Sequence, residues 1–279
     1  MLKKRIVTAL VLAIVFLTTL FWLPPLAFQL LMALVVALVA YEWAALAGWR
    51  GLVRLGYVFG IVFGGAGLVF APLGGSFHLG LLIAGLVLWA LLSLRVFLGA
   101  HVPNVLHHAH FKLLLAPLVL WPAWFALEYL HSLPDGAWWV LGTLMVVWVA
   151  DSAAFFAGRM FGRVKLAPHI SPGKTVEGLL GGLSGVTAYA LIAHGFEPFA
   201  QLPLWAWCAL TITVTLFSVI GDLHESLLKR EAGVKDSGTL LPGHGGVFDR
   251  VDSLLAAAPI MAFGLFLLDV NGLGMGGLV

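Results

Sequence analysis

Asp222, Asp249 and Asp252 stand in or beside the most polar stretch of an apolar chain, and carboxylates are costly at a membrane boundary unless they are paired or hold a cation. Three of them facing one another would repel, so the set suggests a divalent-metal site built from hard oxygen ligands. Lys229, Arg230, Lys235 and Arg250 supply the opposite sign in the same stretch. A site carrying both signs suits phosphoryl chemistry on an anionic substrate, where a metal bridges phosphate oxygens and cations offset the developing charge. Gly243, Gly245 and Gly246 around His244 would let backbone amides approach a phosphate, with Pro242 stiffening the turn. His244, flanked by glycines in a polar loop, is placed near substrate but not as a general base, because a phosphate nucleophile arrives already ionised.

The elements that must position these residues are membrane spans. Of the 279 residues 61% are hydrophobic and 10% charged, with a mean hydropathy of +1.04, which excludes an ordinary soluble globular protein. A crossing needs about 20 apolar residues, leaving room for little beyond helices. Apolar runs bounded by Gly, Pro or charge predict nine helices near 6–23, 26–47, 55–73, 79–98, 112–131, 137–157, 176–194, 203–223 and 253–270. The reading is an all-α integral membrane protein with a single polytopic domain over 1–279. It comprises N-terminal helices over 1–150, a catalytic half over 151–252 with two polar loops, and a last helix and tail over 253–279.

With a cytoplasmic N-terminus, all 15 Lys and Arg fall on the cytoplasmic face, and the other face carries only acids such as Asp135, Glu197 and Asp269. The active site is expected on that cytoplasmic face. Lys3-Lys4-Arg5 ahead of an apolar run resembles a signal peptide, but bulky Phe21-Trp22 stand where small residues would be cleaved, so an uncleaved first helix is expected. Trp22, Trp121, Trp124, Trp138, Trp139, Trp205 and Trp207 fall near predicted outer ends and read as an interfacial belt. Cys208, the one cysteine, reads as a small buried hydrophobe. The Gly-rich tail over 271–277 reads as frayed.

From Ser226 to Asp252 the pattern S-x-L-K-R-x4-K-D-x-G-x2-L-P-x-H-G-G-V-x-D-R-V-D closely resembles the signature of phosphatidate cytidylyltransferases, also called CDP-diacylglycerol synthases. A second stretch is similar to that family's other polar segment: Asp151-Ser152 through Gly158-Arg159, Gly162-Arg163, then Ser171-Pro172-Gly173-Lys174-Thr175-Val176-Glu177-Gly178. The resemblance covers roughly 151–252. It implies that CTP and phosphatidic acid react with Mg²⁺ to give CDP-diacylglycerol and pyrophosphate in phospholipid biosynthesis. By it, Asp222 and Asp249 hold the metal, joined by Asp252, and Lys229, Arg230 and Arg250 contact phosphates. It also implies that Ser171, Lys174, Thr175, Glu177, Asp151, Lys235, Asp236, Gly245 and Gly246 bind substrate. It implies further a homodimer; a second, monovalent cation such as K⁺ and no nucleic-acid partner are also expected, and compactness with no transit segment points to a bacterial plasma membrane.

Two rival functions are a CTP-dependent lipid kinase, which would release CDP in place of pyrophosphate, and a cation-coupled transporter, which would put acids near the bilayer midplane in repeated halves. Other readings are plainer. Gly173-Lys174-Thr175 ends like a P-loop, but Pro168 stands where the first glycine belongs. His101, His107, His108 and His110 lack accompanying acids and read as a solvated loop. Glu42 and Glu128 lie within predicted spans and are candidates for function by that fact alone, although snorkelling or an interhelical hydrogen bond is enough for either.

Overall fold

The computed structural model describes residues 2–98 and 108–268. Within them run α1 (Leu2–Phe21), α2 (Pro25–Leu46), α3 (Gly51–Phe70), α4 (Gly75–Leu98), α5 (Ala109–Ser132), α6 (Gly136–Phe161), β1 (Lys165–Ala167), β2 (Ser171–Thr175), α7 (Val176–Ala193), α8 (Leu204–Glu231) and α9 (Phe248–Leu267). Helices α2 to α9 are each long and apolar enough to cross a membrane, while the apolar part of α1, Ile6–Phe21, is shorter. His101, His107, Asp269 and the Gly-rich tail lie outside the described residues. Cys208 is a half-buried free thiol.

Helix is the form a chain takes in lipid, because it satisfies its own amides and carbonyls. Pro25 opens α2 at the position where a missing N–H costs least. Close contact then takes over from hydrophobicity as the packing force. On α7, Gly178, Gly181, Gly182 and Gly185 press against Ala150, Ala153, Ala154, Ala157 and Gly158 of α6; a Cβ on Gly185 would stand 2.6 Å from that of Ala153. Gly221 does the same between α8 and α9, where a Cβ would meet the Asp252 carbonyl oxygen at 2.6 Å. Helix α9 runs through the core, burying Ala256 through Ala262 without interruption. The buried side chains of the N-terminal and C-terminal helices share one core cluster.

Contacts bring the charged helix ends together. Glu231 at the end of α8 pairs with Arg95 of α4 at 2.6 Å and Lys112 of α5 at 3.0 Å. The Thr8 hydroxyl of α1 reaches the Pro242 carbonyl, and Glu42 near the end of α2 meets the start of α9. Arg95 and Lys112 thus meet the end of α8 where the 232–247 connection begins.

Three expectations change. Helix α8 continues to Glu231, and α9 begins at Phe248, so both ends of the polar stretch expected as a loop over 224–252 are helical and the connection narrows to 232–247. Asp222, Glu225, Ser226 and Lys229 explain why: their spacing of three, four and seven follows the helical repeat, and they are paired, Asp222 to Lys174 of the hairpin and Lys229 to Glu225 and to Asp249 of α9, instead of hydrated. The segment 158–175 carries the small antiparallel hairpin β1–β2, in register Lys165 with Thr175. Of the tryptophan belt, Trp22, Trp138 and Trp205 are exposed, but Trp124, Trp139 and Trp207 are buried core residues. Trp207 donates from its indole to the Ala190 carbonyl at 3.1 Å, as a buried N–H should.

Candidate active site

Two acid-rich nests lie side by side at the charged end. The first forms where α6, α7, α8 and the hairpin meet, around a cavity of about 540 Å³. Its lining mixes apolar Ala154, Phe155, Leu166, Leu179 and Val219 with polar Asp151, Arg159, Ser171, Lys174, Thr175 and Asp222. Lys174 Nζ lies 2.6 Å from Asp222 Oδ2, and both side chains keep about a quarter of their surface open, at 23% and 28%. Asp151 and Asp252 stand within electrostatic reach of this pair. Three carboxylates thus face one ammonium, and the Ser226 hydroxyl adds a weak contact to Asp222 at 3.3 Å.

Local chemistry builds this nest. Thr175 is the N-cap of α7, its hydroxyl accepting from the Gly178 N–H at 3.0 Å. Glu177 in the first turn of α7 accepts from the Arg163 and Val164 amides at 3.0 and 3.2 Å, tying the hairpin's start to the helix. Arg230 donates to the Ile170 carbonyl at 3.3 Å and holds the hairpin's turn against α8. These contacts fix Ser171 and Lys174 at the cavity.

The second nest is closed. Lys229 Nζ bridges Glu225 at 2.5 Å and Asp249 at 2.7 Å. Asp249 also accepts from the Ser237 amide and hydroxyl at 3.0 Å each and from the Gly246 amide at 2.8 Å. Its side chain is 6% exposed. Glu42, 1% exposed, accepts from the Val247 and Phe248 amides and lies 3.1 Å from the Ser237 hydroxyl, whose single proton the two acids share.

Over the closed nest runs the connection 232–247, whose Ser237 and Gly246 bind Asp249. Gly243 and Gly245 take φ of +78° and +83°, left-handed values that let the chain double back so that Leu241 N–H reaches the Gly245 carbonyl at 2.9 Å. Arg250 clasps this turn by donating from Nε and Nη2 to the His244 carbonyl at 3.1 and 2.8 Å. Lys235, Asp236, Thr239, His244 and Arg250 border a second hollow of about 530 Å³.

The expected site residues therefore assemble at one end, but not as one set. Asp222 and Asp252 share the open nest with Asp151 and Lys174, while Asp249 is in the closed one with Lys229. Among the described residues no three His, Cys, Asp or Glu are already arranged as metal ligands. The open nest nonetheless has the donors a hard cation takes: oxygen only, with acid in excess of base. Glu225, Ser237 and Glu42 were not expected as site residues. The first had a signal in its helical spacing from Asp222, whereas the partners of Glu42 lie 195 to 206 residues away. His108 and His110 are exposed at the start of α5. Glu128 accepts from Trp124 within its own helix, one turn away, at 3.2 Å.

Comparison with known proteins covers nearly the whole chain. The profile described as "Cytidylyltransferase family" matches residues 3–268. The phosphatidate cytidylyltransferase of Pseudomonas aeruginosa is 39% identical over 264 residues, covering 94% of this chain and 96% of that one. That of Haemophilus influenzae is 36% identical over 293 residues, covering 95% and 99%. That of Staphylococcus saprophyticus is 44% identical over 127 residues, covering 46% and 48%. This chain belongs to the cytidylyltransferase family.

Proposed function

We propose that this multi-pass membrane protein is a phosphatidate cytidylyltransferase, converting CTP and phosphatidic acid to CDP-diacylglycerol and pyrophosphate. The observation that carries the reading is the Lys174–Asp222 pair, which joins the two polar segments in a cavity lined by both charged and apolar side chains. Such a cavity suits a substrate that is half lipid and half phosphate, meeting a soluble nucleotide.

In the proposed reaction a phosphate oxygen of phosphatidic acid attacks the α-phosphorus of CTP in line. The new P–O bond forms as the bond from that phosphorus to the bridging oxygen breaks, and pyrophosphate leaves. No general base is needed, since the attacking oxygen is ionised. Lys174, Arg159, Lys229, Arg230, Lys235 and Arg250 orient the two anions and offset the charge that collects between them. Lys174 and Lys229 are already held by carboxylates, so incoming phosphates find them positioned. Ser171, Thr175, Gly245 and Gly246 line the approach, with Asp236 and His244 at its polar rim, and Glu177 keeps the hairpin in place. Asp222 and Asp252, with Asp249 one turn along α9, are the residues that would hold Mg²⁺. The ion would supply positive charge at the phosphate oxygens. A monovalent cation would find the remaining acid, Asp151, nearby. The extreme bias of Lys and Arg to one end supports a cytoplasmic site, bacterial relatives support a plasma membrane, and the family resemblance supports a homodimer.

The test is to incubate the purified protein in detergent with phosphatidic acid, Mg²⁺ and CTP labelled at the α-phosphate. The lipid fraction is expected to carry the label as CDP-diacylglycerol, with pyrophosphate released. Production of CDP and a phosphorylated lipid instead would replace this reading with a lipid kinase.

A further inference from the structure

The N-cap of helix α9 is Val247, whose side chain offers no acceptor, so the helix's first N–H groups lack a local side-chain cap. They are satisfied from the other half of the chain: the Val247 N–H donates to Glu42 Oε1 at 3.0 Å and the Phe248 N–H to Glu42 Oε2 at 2.8 Å. A carboxylate is well matched to this place, where the helix dipole presents positive charge. The Ser237 hydroxyl lies 3.1 Å from Glu42 and 3.0 Å from Asp249, joining the two acids through one side chain. Gly238 and Gly246 close over Glu42, and a Cβ on either would run into its carboxylate. Ordinary snorkelling explains none of this, since the carboxylate is buried.

We infer that Glu42 is a positioning residue for cytidylyl transfer: it caps α9 from α2 and, through Ser237, sets the place of Asp249 at the reacting phosphates. The inference rests on the proposed role of Asp249. Gln at position 42 keeps the shape but leaves one acceptor oxygen for three donors and turns an NH2 toward the helix amides. Asp keeps both oxygens on a shorter stem. Ser237→Ala leaves the helix cap and cuts only the link to Asp249.

The full-length protein and its Glu42→Gln, Glu42→Asp, Ser237→Ala, Glu42→Gln/Ser237→Ala and Asp249→Asn variants are compared in one detergent for kcat, KM for CTP and thermal midpoint. We expect Glu42→Gln to lose at least tenfold in kcat with KM for CTP within threefold. Glu42→Asp should recover part of that loss, and the double variant should be no slower than the slower single one. If Glu42→Gln does not fold, Ser237→Ala decides: a fivefold or larger loss of kcat supports the inference and a wild-type rate overturns it. A folded Glu42→Gln within twofold of wild type, beside an inactive Asp249→Asn, overturns the inference alone. A fully active Asp249→Asn overturns the role of Asp249 and the inference with it.

Discussion

The two acid nests contain similar groups and differ in what they have left to give. Around Asp222 one lysine faces three carboxylates beside an open cavity. Around Asp249 every oxygen has a protein donor: a lysine, two backbone amides and a hydroxyl. Unsatisfied charge at an accessible place binds ligands, whereas satisfied charge in a buried place holds geometry. The open nest is therefore the part with charge left over for substrate and cation, and the closed nest the part that keeps α8, α9 and their connection in register and so fixes Asp249 where the proposed reaction uses it.

Variants can break or sharpen this contrast. The largest effect is expected from Asp249→Asn, which takes one of the two carboxylates from the buried Lys229 and leaves it Glu225 alone. Removing one member of a buried pair costs about 3 kcal/mol, so this variant should lose both thermal stability and at least about a hundredfold in transfer rate, the latter in line with what single preorganised charges contribute to catalysis. Asp222→Asn should match it in activity but not in stability, because Lys174 can turn to solvent; side-by-side melting and rate measurements would separate the two. Gly245→Ala comes next, since φ of +83° and a Cβ placed 2.8 Å from Asp249 Oδ2 strain the turn. A loss of about 1–2 kcal/mol is expected from the left-handed backbone alone, read as a lowered midpoint in thermal unfolding. The smallest effect belongs to Glu128→Gln, whose contact is with Trp124 in its own helix; transfer rates should stay at the wild-type level, and a large loss would mean that function extends along α5.

Most of the fold was legible because long apolar runs in lipid have one way to satisfy their backbone. What failed was the reading of helix ends. Polar residues after 223 looked like a loop because hydropathy averages around a helix, and it cannot tell a solvated residue from one paired to the next helix. Trp139 and Trp207 were misread for the converse reason: amphipathic rings near a predicted end suit an interface, but here helix packing covers them. The site residues were legible as types, from their charge and glycine spacing. Their division into two nests was not, because it depends on which side of α8 meets α9 and which meets the hairpin. Glu42 stood out as an acid in a span, yet nothing local pointed to the α9 amides it serves.

The most direct test of the contrast is thermal unfolding of the wild type and Asp222→Asn, each with and without Mg²⁺ and CTP. The account predicts nearly equal midpoints without ligand, and a rise on adding Mg²⁺ and CTP in the wild type that the variant lacks. A variant that unfolds well below the wild type without ligand, or that gains the same rise with it, would contradict the assignment of Asp222 to the receiving nest.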